Sequence, residues 1–201
     1  HLLRAALDLA PLGKFKKEPS IAVIALGGYG RAELNPHSDV DIQFLCEDRL
    51  LNDTQPHVFL KSITDTMLYT LWDVGLKIGH SVRRVGDCVQ EANKDMQSKT
   101  ALIEARCVAG DEVLFEKMEK AVHTKCVKPY IDEYIAARLE DQVARRAKYG
   151  NAVTMQEPDI KNGCGGLRDY QNLCWLMHFK FGYRSVEDLE GYKVITKIDA
   201  E

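Results

Sequence analysis

Residues 21–46 read I-A-V-I-A-L-G-G-Y-G-R-A-E-L-N-P-H-S-D-V-D-I-Q-F-L-C. The stretch opens with a continuous apolar run, residues 21–26, that has the length and β-branched content of a buried strand. A second apolar segment, Val40–Cys46, predicts a neighbouring strand, and two carboxylates, Asp39 and Asp41, stand at its start. Because residues i and i+2 of a strand project from one face, about 6–7 Å apart, we expect both carboxylates on one face of a small sheet.

This pair of carboxylates predicts a metal site. Two acidic groups side by side repel each other unless a cation lies between them. Magnesium prefers carboxylates, water and substrate phosphates as ligands. Asp39 and Asp41 are therefore the predicted metal ligands and the predicted catalytic residues, with two magnesium ions as cofactors.

The glycines before the carboxylates predict a phosphate site. Backbone without side chains lets a triphosphate lie close to the N–H groups, and such amides bind anions. Gly27, Gly28 and Gly30 are the predicted nucleotide-binding positions, together with Arg31 and Ser38 of the same stretch. A phosphate cradle beside metal-binding carboxylates is the combination that nucleotidyl transfer requires.

Each half of this pattern also has a simpler interpretation. A Gly-Gly-x-Gly sequence after a strand is often only a turn, and an isolated Asp-x-Asp is often a solvated strand edge. The two together, with Ser38 directly before the first Asp, favour the catalytic interpretation.

The composition describes an ordinary soluble globular protein. Of the 201 residues, 45% are hydrophobic and 28% are charged, and the formal net charge is −3, without the basic excess of a nucleic-acid binder. No apolar run approaches the length of a membrane span, and no secretory signal is recognisable. Six cysteines without a Cys-x-x-Cys pair predict reduced thiols in a cytoplasmic protein rather than a zinc site. We expect the chain to be a segment of a longer protein.

The remaining patterns predict strands and helices up to residue 110 and helices alone after it. Residues 57–72 predict an amphipathic helix, residues 76–85 a third strand, and residues 87–91 and 99–109 two further helices. On the third strand, His80 is either a core histidine or a residue that faces the nucleotide. From residue 111 to residue 149 a long helical pattern is interrupted only by Pro129. The predicted domains are residues 1–110 and 111–201.

A second glycine-rich loop lies in the later part of the chain. Gly163, Gly165 and Gly166 precede an apolar helical pattern, and Lys161 and Arg168 flank them with positive charge. A glycine-rich loop that opens a helix is a potential anion site, because the N-terminal amides of the helix point at it. The alternative is a helix-capping loop with surface cations.

Four stretches together resemble the bacterial PII uridylyltransferase/uridylyl-removing enzyme family, which belongs to the DNA polymerase beta-like nucleotidyltransferase superfamily. They are G-G-Y-G-R-A-E-L-N-P-H-S-D-V-D (27–41), L-W-D-V-G-L-K-I-G-H-S-V-R (71–83), A-L-I-E-A-R-C-V-A-G-D (101–111) and I-K-N-G-C-G-G-L-R-D (160–169). The glutamine synthetase adenylyltransferase is similar too, but the His-Ser-Val-Arg sequence favours the uridylyl family.

The resemblance implies an α+β fold: a polymerase beta-like nucleotidyltransferase domain with a small mixed sheet, followed by a helical bundle. It also implies transfer of UMP from UTP to a tyrosine of the PII nitrogen-signal protein, with Gly27 and Gly28 at the phosphates. The sequence departs from the family at Ala32, where glycine is common, and at three further positions: Asn35, His37 and Cys164. The hydrolase and nucleotide-sensing domains of the family are not within these residues.

The superfamily leads us to expect a third metal-binding carboxylate on a later strand. Residues 76–85 contain none, and Asp73, Asp87 and Glu104 remain as alternatives. The missing group motivates a second hypothesis, a nucleotide-sensing domain without catalysis. A third hypothesis is adenylyl transfer to a protein such as glutamine synthetase, because the residues do not identify the base.

Overall fold

The computed structural model describes residues 1–10, 19–52, 55–152, 156–157 and 159–182. The chain divides into two compact units, His1–Cys126 and Val127–Glu201. The sequence also predicts a basic connector at residues 14–17 and a short helix within residues 183–201, and both lie outside the described residues. In the part of the chain that the structure describes, no helix is both long and apolar enough to cross a membrane.

The first unit combines helices with a mixed four-stranded sheet in the order β5-β2-β1-β6. Its strands are β1 Ile21–Ala25, β2 Val40–Cys46, β3 Leu51–Asn52, β4 Gln55–Pro56, β5 Ile78–Arg83 and β6 Arg106–Gly110. Strand β1 is antiparallel to β2 and to β6, β2 is parallel to β5, and β3 and β4 form a separate small hairpin. The α+β class and the mixed sheet are confirmed.

The helices of the first unit cover both faces of the sheet. They are α1 Leu2–Leu9, α2 Gly27–Gly30, α3 Val58–Asp73, α4 Val85–Lys94, α5 Met96–Ile103 and α6 Glu112–Val122. On one face Val23, Ile42 and Phe44 pack in a core with apolar residues of α1 and α3. The opposite face carries Gln43, whose amide contacts Cys88 of α4 and Met118 of α6.

The predicted helix over residues 99–109 is wrong in its second half. Helix α5 ends at Ile103, and Arg106–Gly110 instead forms the edge strand β6, which pairs with β1. Gly110 has a φ of 101°, and a side chain there would overlap the carbonyl oxygen of Ile21. The strand therefore depends on a long-range pairing that the local sequence pattern does not report.

The predicted third strand is confirmed as β5, but the core interpretation of His80 is wrong. His80 is exposed, and its ring makes an edge contact with Trp72, with the ring centroids 6.2 Å apart. His80 pairs with Ile42 in register, which places it on the face opposite Asp41.

The second unit contains α7 Ile131–Tyr149 and α8 Leu167–Phe181, which pack against each other. A π-helical turn, His123–Val127, and a 3₁₀ turn, Lys128–Tyr130, precede α7, so the predicted interruption at Pro129 is confirmed. The boundary between the units follows α6, whereas the predicted boundary at residue 110 falls before it. Helix α6 packs against β1 and β2 and thus belongs to the unit that holds the sheet. A helical bundle remains a prediction, because two helices are described in this unit.

Candidate functional site

The first glycine-rich stretch forms one helical turn, α2, directly after β1. Gly30 N–H donates to Leu26 O at 3.0 Å, and Glu33 N–H donates to Gly28 O at 2.9 Å. Gly27 has a φ of 53°, in the left-handed region that favours glycine. The N–H of Leu26 donates to the carbonyl oxygen of Asp41 at 3.0 Å, which ties the turn to the start of β2.

Asp41 lies beside this turn, Asp39 precedes Asp41 by two residues, and both are exposed. A Cβ at position 27 would lie 3.7 Å from Asp41 Oδ2, so the backbone of the turn passes close to this carboxylate. Partial burial, and then the negative charge of Asp39, raise the pKa of Asp41 above its usual range. Within the described residues neither carboxylate has a hydrogen bond or an ion pair, so both are available to a ligand.

The carboxylates of Asp39 and Asp41 are ligands of the kind that magnesium prefers. In the described ranges no three His, Cys, Asp or Glu side chains are arranged to hold a metal ion. Of the three alternatives for a third carboxylate, Asp73 is exposed at the end of α3, whereas Asp87 is bonded to Arg84 and Glu104 to Arg31. Magnesium commonly keeps water and substrate phosphate among its ligands, so a two-carboxylate site is chemically sufficient for binding.

Gly30 and Arg31, both predicted to contact nucleotide, connect the turn to the end of α5. A Cβ at Gly30 would lie 2.6 Å from the carbonyl oxygen of Glu104, so the glycine permits a close backbone approach. Arg31 bonds Glu33 at 2.8 Å and Glu104 at 2.7 Å. Burial alone would lower the pKa of Arg31, but these two carboxylates raise it above its usual value. The side chain is thus a charged bridge within the protein.

Arg106 is a residue of this region that the sequence analysis missed. Its guanidinium donates to the carbonyl oxygens of Gly30, at 3.2 Å, and Tyr29, at 2.9 Å. It also lies over the Tyr29 ring, 5.4 Å from the centroid. Residues 99–109 predict a helix, and a helix there does not bring position 106 to the end of α2, which it reaches only because β6 pairs with β1.

The segment between the turn and β2 carries Ser38 and two residues with positive φ. Ser38 is exposed, and its N–H donates to Asn35 O at 3.1 Å. Ala32 has a φ of 60° and His37 a φ of 68°. The left-handed conformation at Ala32 is a physical reason for the glycine that the resembling family commonly has there.

In the second unit, the loop before α8 uses its glycines and amides internally. The N–H groups of Leu167 and Arg168 donate to the carbonyl oxygens of Ile160 and Lys161, at 3.0 and 2.8 Å. A Cβ at Gly166 would lie 2.8 Å from Ile160 O. The amides that the sequence analysis expects to face an anion are therefore already bonded within the loop.

The same loop is held by the carboxylate of Asp169, whose side chain is 13% exposed. Asp169 accepts hydrogen bonds from Arg145, Arg146, Gln142 and the N–H of Gly165. Burial opposes ionisation, but these donors outweigh it and hold the pKa of Asp169 far below its usual range. The chain thus supplies its own anion at the start of α8.

Lys161 and Arg168, the two predicted phosphate contacts of this loop, lie in the second unit. Lys161 is exposed, and the Arg168 guanidinium lies 5.2 Å from the centroid of the Trp175 ring. Their role at a nucleotide stays a prediction.

Comparisons with known proteins agree with the motifs. A family model described as GlnD PII-uridylyltransferase matches residues 133–201. The bifunctional uridylyltransferase/uridylyl-removing enzyme of Azospirillum brasilense is 38% identical over 178 residues, covering 89% of this chain and 18% of that protein. Proteins of the same name from Erythrobacter litoralis and Photobacterium profundum are 37% and 39% identical, covering 99% and 91% of this chain and 22% and 20% of their own length.

The chain thus spans about a fifth of the length of these curated relatives. The matches extend over both compact units, from the glycine turn and the paired carboxylates to the α8 loop. On this basis, the chain belongs to the family of bifunctional uridylyltransferase/uridylyl-removing enzymes.

Proposed function

We propose that the first unit is a metal-dependent nucleotidyltransferase domain that transfers UMP from UTP to a tyrosine of a PII-type signal protein. The observation that carries the proposal is the position of Asp39 and Asp41. The two carboxylates are exposed and have no protein partner among the described residues, and that of Asp41 lies beside the glycine turn. The names of the relatives support uridylyl rather than adenylyl transfer. A cytoplasmic setting belongs to the proposal, in agreement with the buried free thiols of Cys46, Cys88 and Cys126.

In this proposal Asp39 and Asp41 hold magnesium, and the backbone of Gly27 and Gly28 lies along the triphosphate. The metal supplies charge neutralisation at the phosphates and polarises the reacting oxygens. The tyrosine oxygen forms a bond to the α-phosphorus while the bond to pyrophosphate breaks, and the hydroxyl proton passes to solvent. The contribution of the chain is to orient UTP, since phosphoryl-type transfer is catalysed mainly by positioning and electrostatic stabilisation.

Replacement of Asp41 tests the proposal. In Asp41→Asn the ligand charge is removed from an exposed position, so we expect the fold to persist and UMP transfer to fall at least about a thousand-fold. The assay is incorporation of labelled UMP into a PII protein, with circular dichroism as the check on folding. Asp48→Asn is the matched control, because Asp48 is exposed just beyond the opposite end of β2. Retained transfer in Asp41→Asn would overturn the catalytic assignment.

A second candidate function is nucleotide sensing without turnover. The observation that favours it is the pairing of Asp87 and Glu104 with arginines, which leaves two free carboxylates at the site. Calorimetry with UTP and magnesium, run beside a pyrophosphate-release assay, separates the two functions. Binding without release supports the sensor. Direct competition between ATP and UTP in the same experiment shows which of the two bases the site prefers.

A further inference from the structure

The carboxylate of Asp41 lies between two glycines that belong to different elements. Gly27 of α2 is on one side, with its Cβ position 3.7 Å from Asp41 Oδ2. On the other side is Gly79 of β5, which pairs with Asp41 in the parallel ladder. A Cβ built on Gly79 would overlap Asp41 Oδ1. The Asp41 side chain therefore leans across the adjacent strand into the space that a side chain at position 79 would occupy.

Gly79 has no other evident reason to be a glycine. Its φ lies outside the left-handed region, so the backbone conformation would accept any residue. Glycine in the interior of a strand weakens the strand and often marks a close approach of another group. Among the described residues, the atoms within 4 Å of the Cβ position all belong to Asp41. The group that approaches here is thus the carboxylate alone.

A side chain at position 79 would displace the carboxylate and not the sheet. The overlapping atom is the far end of the Asp41 side chain, which is free to rotate, whereas the backbone of β2 and β5 is fixed by their pairing. Gly79 is the residue of β5 that pairs with Asp41. Strand β5 is also the strand on which the superfamily leads us to expect a third carboxylate. Here that space is used by Asp41 itself.

We propose that Gly79 is a positioning residue for the metal site: the missing side chain sets the direction in which the Asp41 carboxylate points. The inference rests on the proposed function, because it assigns to Asp41 the role of a metal ligand. Its prediction is specific to metal affinity. A methyl group at position 79 turns the carboxylate out of its present direction and so changes the geometry in which Asp39 and Asp41 meet a metal ion.

The test compares Gly79→Ala with Gly86→Ala in the 201-residue chain. Gly86 is an exposed glycine of α4, and a Cβ there meets no atom within 4 Å. Manganese binding is measured by electron paramagnetic resonance, with thermal unfolding recorded on the same samples. We expect Gly79→Ala to bind manganese about ten-fold or more weakly at an unchanged unfolding temperature, and Gly86→Ala to bind like the parent chain. Equal affinity in Gly79→Ala overturns the inference.

A second variant covers the case in which Gly79→Ala does not fold. If the overlap with the Asp41 carboxylate is the cause, the double variant Gly79→Ala/Asp41→Ala folds like Asp41→Ala alone. A double variant that stays unfolded shows that position 79 matters for another reason and overturns the inference.

A failure of the proposed function gives a different result. If the parent chain binds no manganese, the metal assignment fails. The carboxyl ¹³C resonance of Asp41, identified by its loss in Asp41→Asn, then reports the position of this group without a metal. A shift in Gly79→Ala and none in Gly86→Ala supports the positioning role. No shift in either variant overturns it.

Discussion

The two glycine-rich loops of this chain are similar in composition and opposite in use. In the first unit, the turn Gly27–Gly30 passes close to Asp41, and the carboxylates of Asp39 and Asp41 have no bonding partner among the described residues. In the second unit, the loop before α8 fills its own space, and Asp169 is bonded by two arginines, a glutamine and an amide. The first loop therefore has carboxylates without a described partner near it, whereas the glycines of the second allow a tight internal turn around a bonded carboxylate.

The largest expected difference between the loops concerns their carboxylates. Asp169→Ala should lower the unfolding free energy of the second unit by about 3 kcal/mol, because it leaves Arg145 and Arg146 without their buried partner. Asp41→Ala should leave the stability of the first unit within about 0.5 kcal/mol of the parent chain. The measurement is urea unfolding. Fluorescence of Trp175 in a Trp72→Phe background reports the second unit, and fluorescence of Trp72 in a Trp175→Phe background reports the first. Equal losses would remove the distinction between the loops.

The glycines provide the next test. A Cβ at Gly166 would lie 2.8 Å from Ile160 O and 3.0 Å from Gly163 O, so Gly166→Ala should cost about 2 kcal/mol of stability. A Cβ at Gly28 meets only ordinary contacts, the nearest at 3.7 Å, and Gly28→Ala should fold normally. It should instead weaken UTP binding about ten-fold, because the added methyl group keeps the phosphate from approaching the backbone N–H and one charge-assisted hydrogen bond is lost. Calorimetry measures the binding, and a stable Gly28→Ala with unchanged affinity would contradict the phosphate role.

Removal of the Arg106 side chain, which supports the first glycine loop from strand β6, should have a smaller effect on stability. Arg106→Gln removes the guanidinium that donates to Tyr29 O and Gly30 O, and we expect a loss of about 1 kcal/mol, since Arg106 is exposed. UTP affinity should fall with it, whereas Arg4→Gln, on an exposed pair in α1, should change neither. A variant that loses stability but keeps full UTP affinity would show that Arg106 does not orient the turn.

The smallest effect is a pH dependence of the second unit. The folded pKa of Asp169 lies below its unfolded value, so the unfolded chain takes up the proton first and stability falls as the pH falls. From about pH 6 to about pH 3.5 the contribution of this group should drop by about 0.7 kcal/mol. The difference in unfolding free energy between the parent and Asp169→Asn isolates it from other carboxylates. A difference that grows as the pH falls would contradict the assignment.

The sequence predicts the centre of the first unit well and its edges poorly. Strands β1, β2 and β5 and helix α3 follow from local apolar patterns, which a buried sheet and an amphipathic helix impose directly. Strand β6 does not follow, because R-C-V-A-G has little β-branched content and is fixed by its pairing with β1. The contact of Arg106 with the glycine turn could not be predicted for the same reason.

The candidate site was predictable to a similar extent. Strand geometry predicts Asp39 and Asp41 on one face; Asp39 lies one residue before β2, and its charge contributes to the raised pKa of Asp41. The difference between the two glycine loops cannot be predicted from the sequence, because composition does not determine which carbonyl oxygens accept hydrogen bonds from the loop amides. The predicted third carboxylate had three alternatives in the sequence, and the arginine partners of two of them, Asp87 and Glu104, are visible only in three dimensions.

The junction between α5 and β6 has a consequence for tolerance to insertions and deletions. Glu104 bonds Arg31 and approaches Gly30 closely, Arg106 bonds the end of α2, and only the buried Ala105 separates them. One added or deleted residue would turn every side chain of β6 to the opposite face. The spacing of residues 104–106 is therefore as strictly constrained as their identity, although all three lie outside the proposed ligand contacts.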